Sequence, residues 1–442
     1  MRTGSTFCRS LISKWRFMVR QSVGFLFCGI LFSACGDLGP SKGPITYLTI
    51  KGGVVSDEPR SAIIGTQVLT SGGNAVDALV AMYFALSVTY PVSGTLGGGG
   101  ICVVHNGKDG TTASLDFRPR EYTIGNSTAV FPGVVRGLYA LHARFGHKKW
   151  EKLLIPAEKL ARFGFPVSRA FARKLAELPQ NMLFHPTMRE AFTSNNKSLT
   201  EGKKFIQHRL SEIIAQVRLR GPAGFYTGDI AKDVIAGLEE TTNIAIPVAA
   251  LKSYRPLWST PKTITFGNRT MFLPGGRLGS EAIIMLRAAI KGRYAPPLLP
   301  NRSDSAGLAV IDAAGNAVAC VVSANGLLGA QRMIGSTGIL MSKVNSDLFP
   351  GLPILFAHRY LNDALGVVTG AGGSNGRSIA IDRAIRTFVL KVGPHPPVAE
   401  SELRTRVRAN VIWCPNGSRR APLSCEFLAD PRGFGLAISA SN

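Results

Sequence analysis

Two glycine-rich segments and a pair of histidines are the first places where this sequence could carry out chemistry. Gly370–Gly376 follows a short strand pattern and opens a helical one, so its backbone N–H groups could bind an anion or simply form a tight turn. Gly97–Gly100 lacks the GxGxxG spacing and follows no strand pattern, which argues against dinucleotide binding. His142 and His147 are five residues apart and cannot face one metal ion on a helix, and the chain has no CxxC pair. The sequence predicts neither a cofactor nor a metal site.

Four of the seven cysteines lie beyond the N-terminal segment, in two kinds of context. Cys102 and Cys320 lie in apolar strand patterns, which predicts two buried core thiols. Cys414 and Cys425 flank a stretch rich in proline and glycine, where two cysteines can close a small loop. In an oxidising compartment we therefore expect a disulfide between Cys414 and Cys425.

Residues 1–35 have the pattern of a targeting segment. Five basic residues precede Val23–Ala34, an apolar run of twelve residues that is too short to span a membrane. The run leads into Phe32–Gly36 (FSACG), which resembles a bacterial lipobox and predicts diacylation of Cys35. The alternative is an ordinary signal peptide cleaved near Ala34. The first interpretation predicts a lipoprotein of the bacterial cell envelope that faces the periplasm, and the second predicts a secreted periplasmic protein.

The composition is that of a folded chain with a strongly basic balance. The 442 residues are 45% hydrophobic and 18% charged, which excludes an intrinsically disordered protein. The formal net charge of +24 is spread along the sequence without an aromatic-basic module, so we expect no nucleic-acid partner. Such a surface could attract anionic lipid headgroups or acidic substrates, or be only a solvated surface. After residue 35 no stretch approaches eighteen uninterrupted apolar residues, so no membrane-spanning helix is predicted.

The first readable elements are two consecutive helices. The spacing predicts one helix over about 59–70, ended by a Ser-Gly-Gly sequence. A second helix opens at Asn74, a favourable N-cap residue, with Asp77 three positions later as a capping-box partner. It continues through Ala78–Val88, which is apolar on nearly every side, so we expect it to be buried between layers.

Two strand pairs follow from alternating patterns around turns. We predict Ile101–His105 to pair with Ala113–Phe117, and Gly307–Asp312 to form a hairpin with Asn316–Ser323. Further helices are predicted at 133–144, 150–163, 168–176, 228–240 and 377–388. Helices before and after two strand systems indicate a helix–sheet–sheet–helix sandwich.

A series of short segments resembles one known family both in sequence and in order. The segments are Ser71–Ala78 (SGGNAVDA), Gly97–Gly100, Leu115–Arg118 (LDFR), Val130–Gly133 (VFPG), Ala157–Phe165 (AEKLARFGF) and Gly221–Gly228 (GPAGFYTG). On these matches the chain is identified as a divergent, shortened member of the γ-glutamyltransferase family, also called γ-glutamyltranspeptidase or glutathione hydrolase. The resemblance implies an α+β fold, the four-layer αββα sandwich of the N-terminal-nucleophile hydrolases.

The resemblance also implies a nucleophile and a division of the chain. In that family the precursor cuts itself before a hydroxyl residue, which then attacks a γ-glutamyl amide with its own α-amine as base. Matching Val310–Asp312 to the family's hairpin puts Ser305 at the nucleophile position. The implied parts are residues 1–35 as signal segment, 36–44 as linker, 45–304 as the large-subunit-like part and 305–442 as the small-subunit-like part of one domain.

The same alignment assigns roles to residues around Ser305. Ser323 falls on a supporting hydroxyl residue, and Gly372 and Gly373 fall on the glycine pair whose N–H groups stabilise the oxyanion.

For the substrate, the resemblance implies one residue for each polar group of the glutamyl end. Asn325 falls on an asparagine that holds that end, and Asp347 on the carboxylate that pairs with the α-amine. Arg118 falls on the arginine that pairs with the α-carboxylate. Because Pro119 and Arg120 intrude before Glu121, Arg120 could equally be that partner.

Several family positions are altered, which leaves two hypotheses. Ala306 and Gly307 replace a Thr-His pair, and Val344 replaces a glutamine. A serine pair has no counterpart in 354–361, and the stretch 291–303 is shortened.

One hypothesis is an envelope enzyme that acts on γ-glutamyl compounds such as glutathione, with slow or partial cleavage before Ser305. The other is an inactive relative, a lipoprotein with a binding or structural role whose corresponding side chains are ordinary strand-edge, turn and surface residues. Neither predicts an oligomeric state.

Overall fold

The computed structural model describes residues 49–178, 186–194, 197–292, 304–335, 337–344, 349–373, 375–395 and 407–441. The described residues from Thr49 onward form one compact unit. The predictions for the signal segment, the linker, Cys35 and Asp347 fall outside the described residues. Within the described ranges, no helix combines the length and the apolar character needed to cross a membrane.

The strands, in chain order, are β1 (Ile50–Ser56), β2 (Gly99–His105), β3 (Thr112–Asp116), β4 (Arg120–Ile124), β5 (Ser127–Phe131), β6 (Phe165–Pro166), β7 (Thr193–Ser194), β8 (Lys197–Ser198), β9 (Lys204–Phe205), β10 (Leu257–Ser259), β11 (Lys262–Phe266), β12 (Arg269–Leu273), β13 (Ala306–Asp312), β14 (Ala317–Ser323), β15 (Leu352–His358), β16 (Ala364–Ala371), β17 (Arg408–Trp413), β18 (Glu426–Leu428) and β19 (Leu436–Ser441).

The helices are α1 (Pro59–Thr70), α2 (Ala75–Thr89), α3 (Val134–Phe145), α4 (Trp150–Phe163), α5 (Arg169–Ala176), α6 (Pro186–Phe192), α7 (His208–Arg220), α8 (Ala223–Tyr226), α9 (Gly228–Thr242), α10 (Val248–Ser253), α11 (Gly276–Ile290) and α12 (Gly376–Ala384). Helix α12 continues as a short π-helical turn over Ile385–Val389.

Two antiparallel sheets form the centre of the fold. In the described chain, one sheet has the strand order β10-β3-β2-β14-β13-β1-β19 and the other β11-β12-β15-β16-β17-β18. Between them lies a core cluster to which both contribute, for example Val103 and Ile311 from the first sheet and Leu355 and Val367 from the second. Helices α1 and α2 pack on the outer face of the first sheet, while α11 and α12 pack on that of the second. This is the predicted αββα arrangement.

Helix α2 forms as the sequence predicts. The Asn74 side chain accepts the N–H of Asp77 at 2.9 Å, and the Asp77 side chain accepts the N–H of Asn74 at 3.0 Å, which closes the capping box. Every residue of α2 is buried, because the helix lies between the first sheet and the neighbouring helices α1 and α4.

The predicted hairpin of β13 and β14 lies at the centre of the first sheet. Its pairing with β2 corrects the prediction made for Cys102 and Cys320. Strands β13 and β14 pair in register, and β2 lies against β14 with Cys102 directly opposite Cys320. The structure joins these two residues in a disulfide, so the prediction of free core thiols is wrong although both are fully buried. The strand register that brings them together was not visible in the sequence. The structure also joins Cys414 to Cys425.

Candidate active site

Ser305 lies immediately before β13, in the interior between the two sheets, and is fully buried. Its hydroxyl donates a hydrogen bond to the carbonyl oxygen of Pro350 at 2.6 Å. The same hydroxyl oxygen accepts the N–H of Gly372 at 2.9 Å, from the glycine-rich turn between β16 and α12. The predicted nucleophile is therefore oriented by backbone groups just before β15 and just after β16.

Asp304, the residue before Ser305, accepts hydrogen bonds both at its backbone carbonyl and at its side-chain carboxylate. The carbonyl oxygen of Asp304 accepts the hydroxyl of Ser323 at 2.5 Å. One carboxylate oxygen of Asp304 accepts the N–H of Ser305 at 2.9 Å. The other accepts the hydroxyl of Ser93 at 2.9 Å and lies 3.5 Å from Nζ of Lys174. The peptide bond between Asp304 and Ser305 is thus contacted from several elements at once.

A buried polar network contacts the backbone that follows Ser305, from its carbonyl oxygen to the N–H of Gly307. The carboxylate of Asp57 accepts the N–H of Gly307 and the amide of Asn410, each at 2.9 Å. Arg408 lies 3.3 Å from the same carboxylate, and its guanidinium donates to the carbonyl oxygen of Ser305 at 3.3 Å. Because Gly307 and Asn410 lie on adjacent sheets, the network ties the start of β13 to β17.

The charge of Arg408 is stabilised by its neighbours. Burial lowers the pKa of its guanidinium, but the neighbouring carboxylates of Asp57 and Asp304 act in the opposite direction and prevail. The net effect is a raised pKa, so Arg408 remains charged beside the carbonyl of Ser305.

Asn325 follows Ser323 closely and lies at the same end of β14. Its backbone adopts a left-handed conformation (φ 61°), which asparagine tolerates better than most residues. Its N–H donates to the hydroxyl of Ser323 at 2.8 Å, and its side-chain amide donates to the carbonyl of Lys343 at 3.2 Å. These two bonds hold Asn325 against Ser323 and the segment at Lys343, and its assigned role toward a substrate stays a prediction.

The two candidate arginines lie in different places. The guanidinium of Arg118 pairs with Asp116 at 2.7 Å and lies 5.8 Å from the ring centre of Phe349, the neighbour of Pro350. Arg120 is exposed and stacks on Tyr254 at 5.5 Å. Of the two, Arg118 is the one next to the segment that contacts Ser305.

Several residues that complete this site were not predicted from the sequence. Arg377 holds the residue before Pro350 in place, because its Nε donates a hydrogen bond to the carbonyl of Phe349 at 3.0 Å. Its Nη1 donates to the carboxylate of Glu281 at 2.8 Å. Lys174 had a visible signal: on α5 it falls at the spacing of the buried residues Phe171 and Leu175, where a charged residue is unexpected. Ser93, Asp57 and Arg408 carried no comparable signal, since they reach the site only through the fold.

The arrangement can do the chemistry of acyl transfer to a hydroxyl. It combines an oriented hydroxyl with a neighbouring carbonyl that already accepts a strong hydrogen bond. Among the described residues, no group of three or more histidine, cysteine or acidic side chains could hold a metal ion.

Comparison with known proteins decides the family. The γ-glutamyltranspeptidase family model matches residues 61–294, more than half of the chain. The chain belongs to the γ-glutamyltranspeptidase family. This confirms the resemblance seen in the sequence. The matched stretch ends before Asp304, so the roles of Ser305 and its neighbours remain predictions from the alignment.

The relatives in this family are longer proteins. The chain is 29% identical over 276 residues to the glutathione hydrolase proenzyme of Escherichia coli (strain K12), covering 55% of this chain and 47% of that protein. It is 32% identical over 203 residues to the glutathione hydrolase proenzyme of Bacillus subtilis (strain 168), covering 41% of this chain and 34% of that protein. The chain therefore spans less than half the length of these curated relatives.

A solved structure confirms the fold over nearly the whole chain. The crystal structure of cephalosporin acylase from Bacillus halodurans superimposes with a TM-score of 0.69 at 16% identity. The superposition covers 91% of this chain and 99% of that one. At this identity the likeness concerns the fold alone, which is the αββα sandwich of the N-terminal-nucleophile hydrolases.

Proposed function

We propose that this chain is a self-processed amidohydrolase that hydrolyses or transfers the γ-glutamyl group of glutathione-like amides. The proposal rests on the geometry at the Asp304–Ser305 bond. There the hydroxyl of Ser305 is oriented by a hydrogen bond to Pro350, and the carbonyl oxygen of Asp304 accepts a hydrogen bond from Ser323. Family membership and the names of the matched relatives, which are glutathione hydrolases, support the substrate class.

Self-cleavage begins when Oγ of Ser305 attacks the carbonyl carbon of Asp304 and the hydroxyl proton passes to the nitrogen of Ser305. The carbon–nitrogen bond then breaks, which leaves the acyl group of Asp304 on Ser305 Oγ as an ester. Water hydrolyses the ester and releases a carboxylate on Asp304 and a free hydroxyl and α-amine on Ser305. The Ser323 hydroxyl stabilises the charge that develops on the carbonyl oxygen.

Turnover then uses the new amine as base. The α-amine takes the hydroxyl proton while Oγ of Ser305 attacks the substrate carbonyl, and a positioned base of this kind contributes about 10²–10⁴-fold. The proton goes to the leaving amine as the amide bond breaks, and water or an acceptor amine removes the acyl group from Oγ. The N–H groups of Gly372 and Gly373 are assigned to the oxyanion, while Arg118, Asn325 and Asp347 are assigned to the glutamyl end.

The location we propose is the bacterial cell envelope, facing the periplasm. It is supported by the basic N-terminal segment, the apolar run Val23–Ala34 and the Ala34-Cys35-Gly36 sequence. In this proposal, acyl chains on Cys35 anchor the protein to the membrane.

The alternative is an inactive family member with a binding or structural role. It is favoured by the replacement of family side chains at Ala306, Gly307 and Val344, the last of which is 45% exposed. Each lost hydrogen bond to a charged group removes roughly 1.5–3 kcal/mol of binding free energy.

Enzyme assays on partly processed protein distinguish the two proposals. Preparations that contain different fractions of cleaved chain are tested for hydrolysis of γ-glutamyl-p-nitroanilide, with Ser305→Ala as the uncleaved control. We expect activity to rise in proportion to the cleaved fraction and to be absent in Ser305→Ala. Cleaved protein without turnover of this substrate would contradict the substrate class, and a Ser305→Ala variant as active as the wild type would contradict the mechanism.

A further inference from the structure

The end of the sandwich opposite Ser305 is where the chain enters the described fold. Ser305 precedes β13, and Asp312 ends this strand seven residues later. Since an antiparallel strand rises about 3.4 Å per residue, these two residues lie about 24 Å apart. At the far end, the N–H of Ala313 donates to the carbonyl of Lys51 at 2.9 Å. This bond places the start of β1 beside the β13–β14 turn.

Several turns of both sheets meet at this end. The N–H of Gly107, in the β2–β3 turn, donates to the side chain of Asn316 in the β13–β14 turn at 2.9 Å. Arg419 joins the two sheets, because it donates to the carbonyls of Gly107 at 3.1 Å and of Leu361 at 2.5 Å. The short helical turn Pro422–Ser424 packs against β1. We call these segments together the tether end: Lys51, 106–110, 313–316, 359–362 and 419–424.

Three large apolar side chains of the tether end are exposed to solvent. Tyr360 is 69% exposed, Leu423 72% and Leu361 39%. Grouped apolar side chains on a surface mark a place of interaction. Tyrosine is enriched where proteins meet the headgroup region of a membrane, because its ring is apolar and its hydroxyl polar.

Basic side chains accompany this apolar group. Among the described residues, neither Lys51 nor Lys108 has an ion-pair partner. The guanidinium of Arg359 stacks on the ring of Tyr360 at 5.3 Å. The exposed carboxylate of Asp109 offsets one of these charges, which leaves the surface positive. A positive surface with exposed apolar side chains complements a layer of anionic lipid headgroups.

A cavity beside the two lysines adds to the positive surface. It has a volume of about 500 Å³ and is lined by Lys51, Lys108, Arg144 and His147. Asp312 also lines it, but that side chain is buried and its carboxylate accepts backbone N–H groups. A cavity of this size has room for a headgroup phosphate and the glycerol attached to it.

We propose that the tether end docks on the surface of an anionic phospholipid bilayer. The three apolar side chains enter the interface, and the basic side chains lie against the headgroup phosphates. The inference goes beyond the chemistry at Ser305 and rests on the proposed envelope location.

The proposed lipid anchor and the docking surface act on the same end of the fold. Thirteen residues, 36–48, separate Cys35 from Thr49, which lies two residues before Lys51. Even fully extended, this connection spans at most about 50 Å, so acyl chains on Cys35 hold the tether end near the bilayer. Docked in this way, the protein directs the end that carries Ser305 away from the membrane, toward substrates in the periplasm.

The test measures the accessibility of individual lysines on membranes. Purified wild-type protein, with its acylation read by intact mass, is added to preformed vesicles of phosphatidylcholine alone or mixed equally with phosphatidylglycerol. A membrane-impermeant amine reagent labels the lysines, and peptide mass spectrometry gives the extent of labelling at each. On the anionic vesicles, labelling of Lys51 and Lys108 should fall to about a fifth or less, because one basic side chain near such a surface favours docking about fivefold. High salt should restore the labelling.

Two other lysines and one pair of variants serve as matched controls. Lys204 and Lys262 are exposed on β9 and at the start of β11, outside the tether end, and should be labelled equally on both kinds of vesicle. Tyr360→Ser/Leu423→Ser should lose most of the protection of Lys51 and Lys108. Phe163→Ser/Ile284→Ser removes two similarly exposed side chains from α4 and α11 and should keep it.

Equal labelling of Lys51 and Lys108 on the two kinds of vesicle would overturn the inference, as would equal protection of Lys204 and Lys262. Protection that is unchanged in Tyr360→Ser/Leu423→Ser would also contradict it. If intact mass shows no acyl chains, the anchor proposed at Cys35 is wrong. The same labelling then decides on docking separately, since protection of Lys51 and Lys108 by anionic vesicles supports it and its absence overturns it.

Discussion

Replacing Ser323 with alanine should slow self-cleavage strongly, because Ser323 is the donor described at the carbonyl that is attacked. The two oxygens are 2.5 Å apart and Ser323 is 1% exposed, so water does not easily replace the bond. Removal of one such donor typically costs about 10²–10³ in rate, or about 2.7–4 kcal/mol of transition-state stabilisation. We expect a decrease of this size in the rate constant for cleavage of Asp304–Ser305 in Ser323→Ala.

A matched control separates this effect from simple destabilisation. Ser323→Ala also leaves the N–H of Asn325 without its acceptor, which costs about 1–3 kcal/mol of folding stability. Ser114 is an equally buried serine on β3 whose hydroxyl accepts the N–H of Gly275 at 3.0 Å, so Ser114→Ala carries a similar penalty away from the bond.

The assay is a time course of cell-free synthesis at 25 °C, with the cleaved fraction read on denaturing gels. Ser114→Ala should cleave at close to the wild-type rate, and Ser323→Thr, which keeps a hydroxyl, should lose far less than Ser323→Ala. If Ser323→Ala and Ser114→Ala cleave equally fast, Ser323 does not stabilise the oxyanion.

Three further predictions concern other parts of the chain. Wild-type protein should incorporate labelled palmitate and Cys35→Ser should not; persistent labelling of Cys35→Ser would exclude acylation at this residue. Protein from the periplasm should contain the Cys414–Cys425 disulfide, whose removal costs about 2–3 kcal/mol for so short a loop, and two free thiols by mass spectrometry would contradict it. Burial lowers the pKa of His105 from 6.5 to about 4, so between these pH values the unfolded chain binds a proton that the folded chain does not. The free energy of unfolding should therefore fall by about 3 kcal/mol as the pH falls from 7 to 4. Urea unfolding at the two pH values should show a smaller decrease for His105→Gln.

Features coded by neighbouring residues could be predicted from the sequence. The capping box of α2 needs only Asn74 and Asp77, and its burial follows from an unbroken apolar surface. The β13–β14 hairpin likewise depends on a local alternation around one turn. The four-layer fold followed from the elements and from the order of the family segments.

Features that depend on distant partners could not be predicted. Strand β1 pairs with β19 at the other end of the chain, and no local pattern shows that register. The same applies to the Cys102–Cys320 disulfide, which arises because β2 and β14 are neighbours. At the site, the role of Ser305 comes from alignment and stays a prediction, whereas Ser93 reaches Asp304 only through the packing of the folded chain.

Ser305 is tested most directly as the N-terminal nucleophile by determining where the purified wild-type protein is cut, by intact mass and N-terminal sequencing. Self-cleavage before Ser305 predicts two pieces, the smaller beginning Ser305-Ala306-Gly307, and a single uncut chain for Ser305→Ala purified in the same way. A wild-type chain that remains whole while turning over γ-glutamyl substrate, or one cut at another bond, would contradict Ser305 as an N-terminal nucleophile.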